Sequence, residues 1–392
     1  MNSIDYNLNL ANNKTTTKMM TSLRNASKAL RSATTSRRFL NTNLHRNQDN
    51  MTVLIADAFS PAGMAELENL GMECVYDKDL SGDSLKEAMS TLQPDAVVVR
   101  STKVPKDAID AAGPLLNLVL RAGAGYDNID HAYAGTKGIH VANCPGMNSH
   151  AVAELALGLM LGVDRRLADG NTLLKDGKWN KSAFAKCRGM KGQTLGLCGF
   201  GNIGKLVLKR AQAFEMDVIV DNMFPEQGAE EEFNFRYVDR DELIASSDFL
   251  SFHLPATAET KGMINAELLN KMKDDAVLIN TSRGGLMNEE DILAKLEACP
   301  NFWMGTDVFA QEPSSGKLGE FKNTLAAHPR VLGSHHIGAS TLQSETAIGW
   351  EAVRVLEKLM NTGLVDNCVN MKAIQEHANA NTSESVKNIL NH

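Results

Sequence analysis

Gly199-Phe200-Gly201-Asn202-Ile203-Gly204 follows the apolar run Thr194–Cys198 and precedes a helical stretch, then a second apolar run that ends in Asp221. Strand, glycine-rich turn, helix, strand and acid is the order of a dinucleotide-binding βαβ unit. Gly199, Gly201 and Gly204 permit a tight turn and a close backbone approach. The N–H groups opening the helix, at Asn202 and Ile203, together with its positive dipole end, suit a pyrophosphate. Asp221 stands 17 residues beyond Gly204. There its carboxylate is expected to accept hydrogen bonds from the adenosine ribose hydroxyls and to repel a 2′-phosphate. The expected cofactor is therefore NAD and not NADP.

Working outward, 392 residues exceed what one hydrophobic core usually serves, so two domains are expected. The longest apolar stretch, Ala151–Val163, is too short to cross a bilayer and carries Glu154, so no membrane partner is expected. Six cysteines without a C-x-x-C pair or a histidine at zinc spacing argue against a structural metal and a disulfide framework. Charge is uneven. Residues 1–50 carry eight Lys/Arg against Asp5 and Asp49, while the whole chain is at −7. An acidic body is a poor nucleic-acid ligand. On a helix Arg24, Lys28 and Arg31 would share one face, with Leu23, Ala26 and Leu30 opposite. That pattern is expected of a mitochondrial matrix presequence; a plastid address, a cytosolic product starting at Met51, or a disordered tail are the alternatives.

From Thr52, β-rich runs alternate with helical stretches. The runs Thr52–Ala56, Glu73–Asp77, Ala96–Arg100, Leu118–Arg121 and Ile139–Asn143 predict one five-stranded parallel sheet. A helix apolar on several faces is predicted from Asn148, whose side chain is expected to cap it. A second series, Thr194–Cys198, Asp217–Asp221, Asp248–Leu254, Ala276–Thr281, Phe302–Phe309 and Val331–His335, builds the nucleotide domain. A last helix, Ser344–Thr362, is expected to return to the first domain. The predicted fold class is thus α/β, with two doubly wound parallel-sheet domains. A Rossmann NAD domain (147–335) is inserted into a discontinuous flavodoxin-like substrate domain (51–146 and 336–371), flanked by a leader (1–50) and a polar tail (372–392).

Ligands of such sheets bind at the carboxyl ends of strands, which singles out five polar residues. Arg283, in Asn280-Thr281-Ser282-Arg283-Gly284, is suited to clamp a carboxylate bidentately. Glu312 follows the run ending at Phe309, and His336 follows the last strand. An imidazole held by a carboxylate is a general acid/base. Arg100 and Arg121 end two strands of the first domain, where two guanidiniums would face the cleft and favour a phosphorylated substrate; the alternative is that either pairs with a local acid.

Taken with the glycine loop, these segments resemble the D-isomer-specific 2-hydroxyacid dehydrogenases, over about Thr52 to Met371. The resemblance implies that Arg283, Glu312 and His336 are the catalytic residues. It also implies that Asp307 holds the nicotinamide carboxamide, that Thr281 is a cofactor-binding residue, that the loop of His253 and Pro255 lines the adenine side, and that the backbone of Gly123 and Gly125 helps hold the substrate carboxylate. His335 is a departure, since relatives commonly have Pro there. The stretches Val99–Val104, Arg121–Asp130 and Asn143–Ser149 are similar to the branch of the family that oxidises 3-phospho-D-glycerate to 3-phosphohydroxypyruvate at the entry to serine biosynthesis. The expected partner is therefore a small phosphorylated 2-hydroxy acid. Only 21 residues follow Met371, so the regulatory domain of longer members is not expected. A glyoxylate or hydroxypyruvate reductase is the alternative, and an NAD-sensing corepressor-like binding protein is the alternative of another class. The resemblance implies a homodimer through the segments like Asn148–Arg166 and around Trp179.

Overall fold

The computed structural model describes residues 51–313 and 318–379. The leader and the last part of the polar tail lie outside the described residues, and with them the targeting expectation. In the first lobe, β1 (Thr52–Ile55), β2 (Glu73–Tyr76), β3 (Ala96–Val99), β4 (Leu118–Arg121) and β5 (His140–Asn143) alternate with helices α1 (Pro61–Asn69), α2 (Gly82–Leu92), α3 (Lys106–Ala111) and α4 (His131–Thr136). Helix α5 (Ser149–Asp164) leads out, and α6 (Leu167–Lys175) follows it. The second lobe comprises β6 (Thr194–Cys198), α7 (Asn202–Ala213), β7 (Asp217–Asp221), α8 (Ala229–Phe233), β8 (Arg236–Tyr237), α9 (Arg240–Ser246) and β9 (Phe249–Phe252). It continues through α10 (Ala266–Lys271), β10 (Val277–Asn280), α11 (Glu289–Ala298), β11 (Trp303–Thr306) and β12 (Val331–Gly333). Helix α12 (Leu342–Thr362) ends this series, and residues 371–379 are also helical.

Every pairing between these strands is parallel, in the orders β2-β1-β3-β4-β5 and β12-β11-β10-β9-β6-β7-β8. The first is the flavodoxin-like order. The second reverses direction between β6 and β9, the switch point at which dinucleotides bind. Strands β1, β3, β9 and β10 are buried along their whole length because helices cover both faces of each sheet, which is why they read as continuous apolar runs. Each fully buried Val, Leu or Ile there stabilises the fold by about 1.5–3 kcal/mol.

Helix α12 returns to the first lobe, where Ile348, Ala352, Val355 and Leu356 pack with Val53, Val98 and Leu120. Helix α5 buries Ala153, Ala156, Met160 and Val163 against the second lobe. Gly162 lets it approach β12, since a Cβ there would lie 2.5 Å from Leu332.

Some local expectations are corrected. Asn148 does not cap α5: its backbone (φ −103°, ψ 1°) lacks the extended form that aims a capping side chain, and its Oδ1 is buried without a partner. Helix α12 starts two residues early, at Leu342, because Thr341 accepts the Ser344 N–H. The strands predicted to run to Leu254, Thr281, Phe309 and His335 stop at Phe252, Asn280, Thr306 and Gly333, and the edge strand β8 was not foreseen. No described helix is long and apolar enough to cross a membrane.

Candidate functional site

The turn after β6 sits at the switch point because its glycines let three backbones meet. Gly199 has φ +101°, and a Cβ there would lie 2.6 Å from the His253 carbonyl oxygen at the end of β9. A Cβ on Gly204 would lie 2.5 Å from the Gly199 oxygen, whereas Gly201 faces open space. Gly201 is also the N-cap of α7 and supplies no side chain to the N–H groups of Asn202 and Ile203. The cradle is thus closed beneath and open above, the shape a pyrophosphate needs. At the end of β7, Asp221 Oδ2 accepts Arg240 Nε at 2.7 Å, and Oδ1 has no protein partner among the described residues. A cavity of 640 Å³ lies at the opposite end of these strands, around Thr194, Asp217 and Arg236.

Among the described residues three polar side-chain atoms are buried without partners: His253 Nδ1, Thr281 Oγ1 and Asn148 Oδ1. They stand after β9, after β10 and at the start of α5. Orphaned donors and acceptors of this kind cost about 1–3 kcal/mol each unless a ligand satisfies them, so these residues fit a nucleotide cofactor. Burial lowers the His253 imidazole to about 4, so it is neutral, with Nε2 at 2.9 Å from Ser251 Oγ. Pro255 follows on the exposed side of the same loop, its carbonyl accepting Thr260 Oγ1 at 2.7 Å.

His336 and Glu312 are brought together from different loops, with Nδ1 2.6 Å from Oε2. The carboxylate can only accept, so Nδ1 carries the proton and Nε2 is left as the base. Glu312 Oε1 accepts the Phe309 N–H at 2.9 Å. Burial alone would raise the Glu312 carboxyl. The His336 bond, the Phe309 N–H, and the charges of His336 and Arg283 outweigh it and hold the group below its ordinary value.

Asp307 organises this loop. It is 1% exposed, and its carboxylate accepts Ser334 Oγ at 2.6 Å and the N–H groups of Ile337 and Gly338 at 2.9 and 2.8 Å. Its carbonyl accepts the His336 N–H at 2.8 Å. These bonds hold His336 at φ +53°, a left-handed conformation that costs a non-glycine residue roughly 1–2 kcal/mol. Where the resemblance gives Asp307 a carboxamide, the carboxylate is already engaged by the His336 loop.

The Arg283 loop lies against the Glu312 loop, because Gly284 passes so close that a Cβ would be 1.8 Å from the Phe309 oxygen. Arg283 reaches across to the first lobe. Its Nε donates to Asp127 Oδ1 at 3.2 Å and its Nη1 to the Ser282 carbonyl at 2.8 Å. Nη2 lies over Gly125, where a Cβ would be 1.5 Å away; Arg121 Nη1 lies over Gly123 in the same way, also at 1.5 Å. Arg121, like Arg100 and Arg283, is partly buried. Desolvation, reinforced by the charges of Arg283 and Arg100, lowers its guanidinium to about 10.

Arg100 corrects the expectation of two free forks, for its Nη1 pairs with Glu345 Oε1 of α12 at 3.0 Å. Asp57, Asp127, Ser334, Arg240 and Glu345 were not singled out in the sequence. All act through partners distant in the chain, and only the aspartates carried a cue, as acids beside strand-end loops. Asp57 gathers the N–H groups of Arg100, Ser101 and Thr102 at 2.7, 2.9 and 2.8 Å.

A nucleotide cradle beside an imidazole–carboxylate pair, with cations opposite, has the parts needed to move a proton while a redox cofactor oxidises an anionic substrate. Residues 157–338 match the model of the D-isomer specific 2-hydroxyacid dehydrogenase NAD binding domain. The chain is 43% identical over 265 residues to a hydroxypyruvate reductase of Thermotoga maritima, covering 67% of this chain and 84% of that one. It is 36% identical over 326 residues to a D-3-phosphoglycerate dehydrogenase of Methanocaldococcus jannaschii, covering 83% of this chain and 60% of that longer protein. The NAD+-bound 3-phosphoglycerate dehydrogenase of Entamoeba histolytica superposes with a TM-score of 0.68 at 29% identity, over 82% of this chain and 99% of that one. With a switch-point cradle and relatives covered over most of their length, the chain belongs to the D-isomer-specific 2-hydroxyacid dehydrogenases and is an NAD-dependent enzyme of that family.

Proposed function

We propose that the chain is a D-3-phosphoglycerate dehydrogenase, oxidising 3-phospho-D-glycerate to 3-phosphohydroxypyruvate. The observation that carries this reading is the convergence of Arg100, Arg121 and Arg283 on one mouth, where Glu345 and Asp127 are the acids paired to them among the described residues. One guanidinium is left without a carboxylate, an imbalance a doubly anionic substrate corrects. A 170 Å³ cavity lined by Phe59, Ser60, Arg100, Ala122 and Glu345 gives room for a distal phosphoryl group.

The cradle after β6 would hold NAD, which when bound would supply the hydride acceptor for substrate C2. Arg283 Nη2 and the N–H groups of Ala124 and Gly125 hold the substrate carboxylate and fix C2; the Gly123 N–H, expected to share in this, is instead donated to the Arg121 carbonyl at 2.8 Å. His336 Nε2 takes the hydroxyl proton as the C–O bond becomes a ketone, and Glu312 stabilises the imidazolium that results. In reverse the same imidazolium returns the proton. We infer a homodimer as well: α6 buries none of its residues, and Leu167 and Leu174 on it and Trp179 just after it are all exposed. A basic leader supports delivery to an organelle, tested by locating the tagged full chain in cells.

A second reading, a hydroxypyruvate or glyoxylate reductase, is favoured by the Arg100–Glu345 pair, which already occupies one cation, and by the 43% identical relative. Steady-state kcat/KM with NAD for 3-phospho-D-glycerate and D-glycerate separates them. A preference for the phosphorylated acid of about tenfold or more supports the first reading. Equal or reversed values refute it.

A further inference from the structure

We propose that Arg240 is a second determinant of cofactor choice: one edge of its guanidinium fixes Asp221, and the other is a latent ligand for a 2′-phosphate. The inference rests on the assignment of the β6–β7 turn to NAD. Arg240 opens α9, where a cation opposes the helix dipole, and it stands among acids that have other work. Asp239 caps the helix through the Glu242 N–H, Asp241 pairs with Lys271, and Glu242 pairs with Arg236. The carboxylate that Arg240 pairs with is Asp221, at 2.7 Å through Nε.

The other edge, Nη1 and Nη2, has no protein hydrogen bond among the described residues, and the side chain is 46% exposed. Asp221 is 14% exposed, and its Oδ2 also faces the Cys198 thiol at 3.8 Å. With Oδ2 held from two sides, Oδ1 is the oxygen left for a ribose hydroxyl. The pair is neutral as a whole, so discrimination against a 2′-phosphate depends on the placement of the acid more than on net charge. Removing the acid leaves a guanidinium, the side chain best shaped for phosphate, at the same place.

The test is calorimetric titration of the full chain with 5′-AMP and with adenosine 2′,5′-bisphosphate, so that binding is read apart from turnover. The wild-type chain is expected to prefer AMP. In Asp221→Ser the bisphosphate gains about tenfold or more relative to AMP. Adding Arg240→Met abolishes that gain with AMP affinity held, and Arg240→Lys in its place restores part of it. NADP turnover in the same variants is expected to follow. A gain that survives Arg240→Met, or never arises in Asp221→Ser, overturns the proposal. Failure of the wild-type chain to bind AMP overturns the nucleotide assignment and the proposal together.

Discussion

Gly125→Ala isolates the carboxylate clamp from the fold. The added methyl would lie 1.5 Å from Arg283 Nη2, 2.8 Å from Cζ and 3.2 Å from Asp127 Oδ1. All are ends of side chains, and Gly125 is not in the left-handed region, so the backbone accepts alanine and the guanidinium must swing away. Two charge-assisted hydrogen bonds to the substrate carboxylate are then lost or bent. At about 1.5–3 kcal/mol for each intact bond, and with part of the interaction recovered through solvent, the net loss is about 2–4 kcal/mol. That corresponds to a fall in kcat/KM of roughly thirty- to a thousandfold.

Stability barely moves by comparison. The part-exposed Arg283–Asp127 pair contributes about 0–1 kcal/mol, and replacing glycine at a permitted conformation returns a similar amount. The assay is steady-state kinetics with the preferred hydroxy acid, alongside NADH binding by fluorescence and a thermal melt. Activity within threefold of wild type, with the melt unchanged, would refute the placement of Arg283. Gly123→Ala is the poorer probe, because φ +151° adds backbone strain to the 1.5 Å clash with Arg121.

Three further outcomes follow from the same geometry. His336→Asn lowers kcat at least roughly a hundredfold with NADH binding retained, and near-normal turnover would remove His336 from the proton path. Glu345→Gln frees Arg100 from its 3.0 Å pair and raises the preference for 3-phospho-D-glycerate over D-glycerate several-fold; a ratio that does not change places Arg100 outside the substrate site. His253, lowered to about 4 by burial, is protonated in the unfolded chain below about pH 6.5 but in the folded chain only near 4. The stability it contributes above pH 6.5 is therefore lost as pH falls from 6.5 to 4, by at most about 3 kcal/mol, and denaturant titrations of His253→Gln should show a flatter decline across that window.

What could be read in the sequence was local. The β6–α7–β7 unit declares itself because strand, glycines, helix and acid lie within one short stretch, and each residue type answers a steric or electrostatic need there. The overrun of the predicted strands has a physical reason. Apolar character continues to Leu254 and Phe309 because those side chains still pack inward, but the strand register ends at Phe252 and Thr306, and a single further backbone bond, from His253 to Cys198 and from Asp307 to Asn280, closes each ladder. Charge pairing was out of reach. Arg100 and Glu345 are 245 positions apart and Arg283 and Asp127 are 156 apart, so only folding shows which cations keep an open edge. Asn148 failed for a subtler reason: residue type marked a helix start correctly, but the cap depends on a backbone conformation that composition does not encode.

On the proposed function, the arrangement of those cations would select an anionic substrate before any chemistry occurs. Arg121 has no carboxylate partner in the described structure; its Nε spends itself on the Arg100 carbonyl at 3.1 Å, and its neighbours repel it. A partly buried guanidinium in that state is costly, and at neutral pH it remains charged, since even about 10 is far above 7. Asp127 moderates the repulsion without ending it, because it binds Arg283 through Nε and leaves Nη2 over Gly125. An incoming carboxylate therefore need not break the Arg283–Asp127 bridge between the lobes. On the proposed function it would add to it, so that substrate binding would relieve repulsion among the guanidiniums in the same step that fixes C2 beside His336.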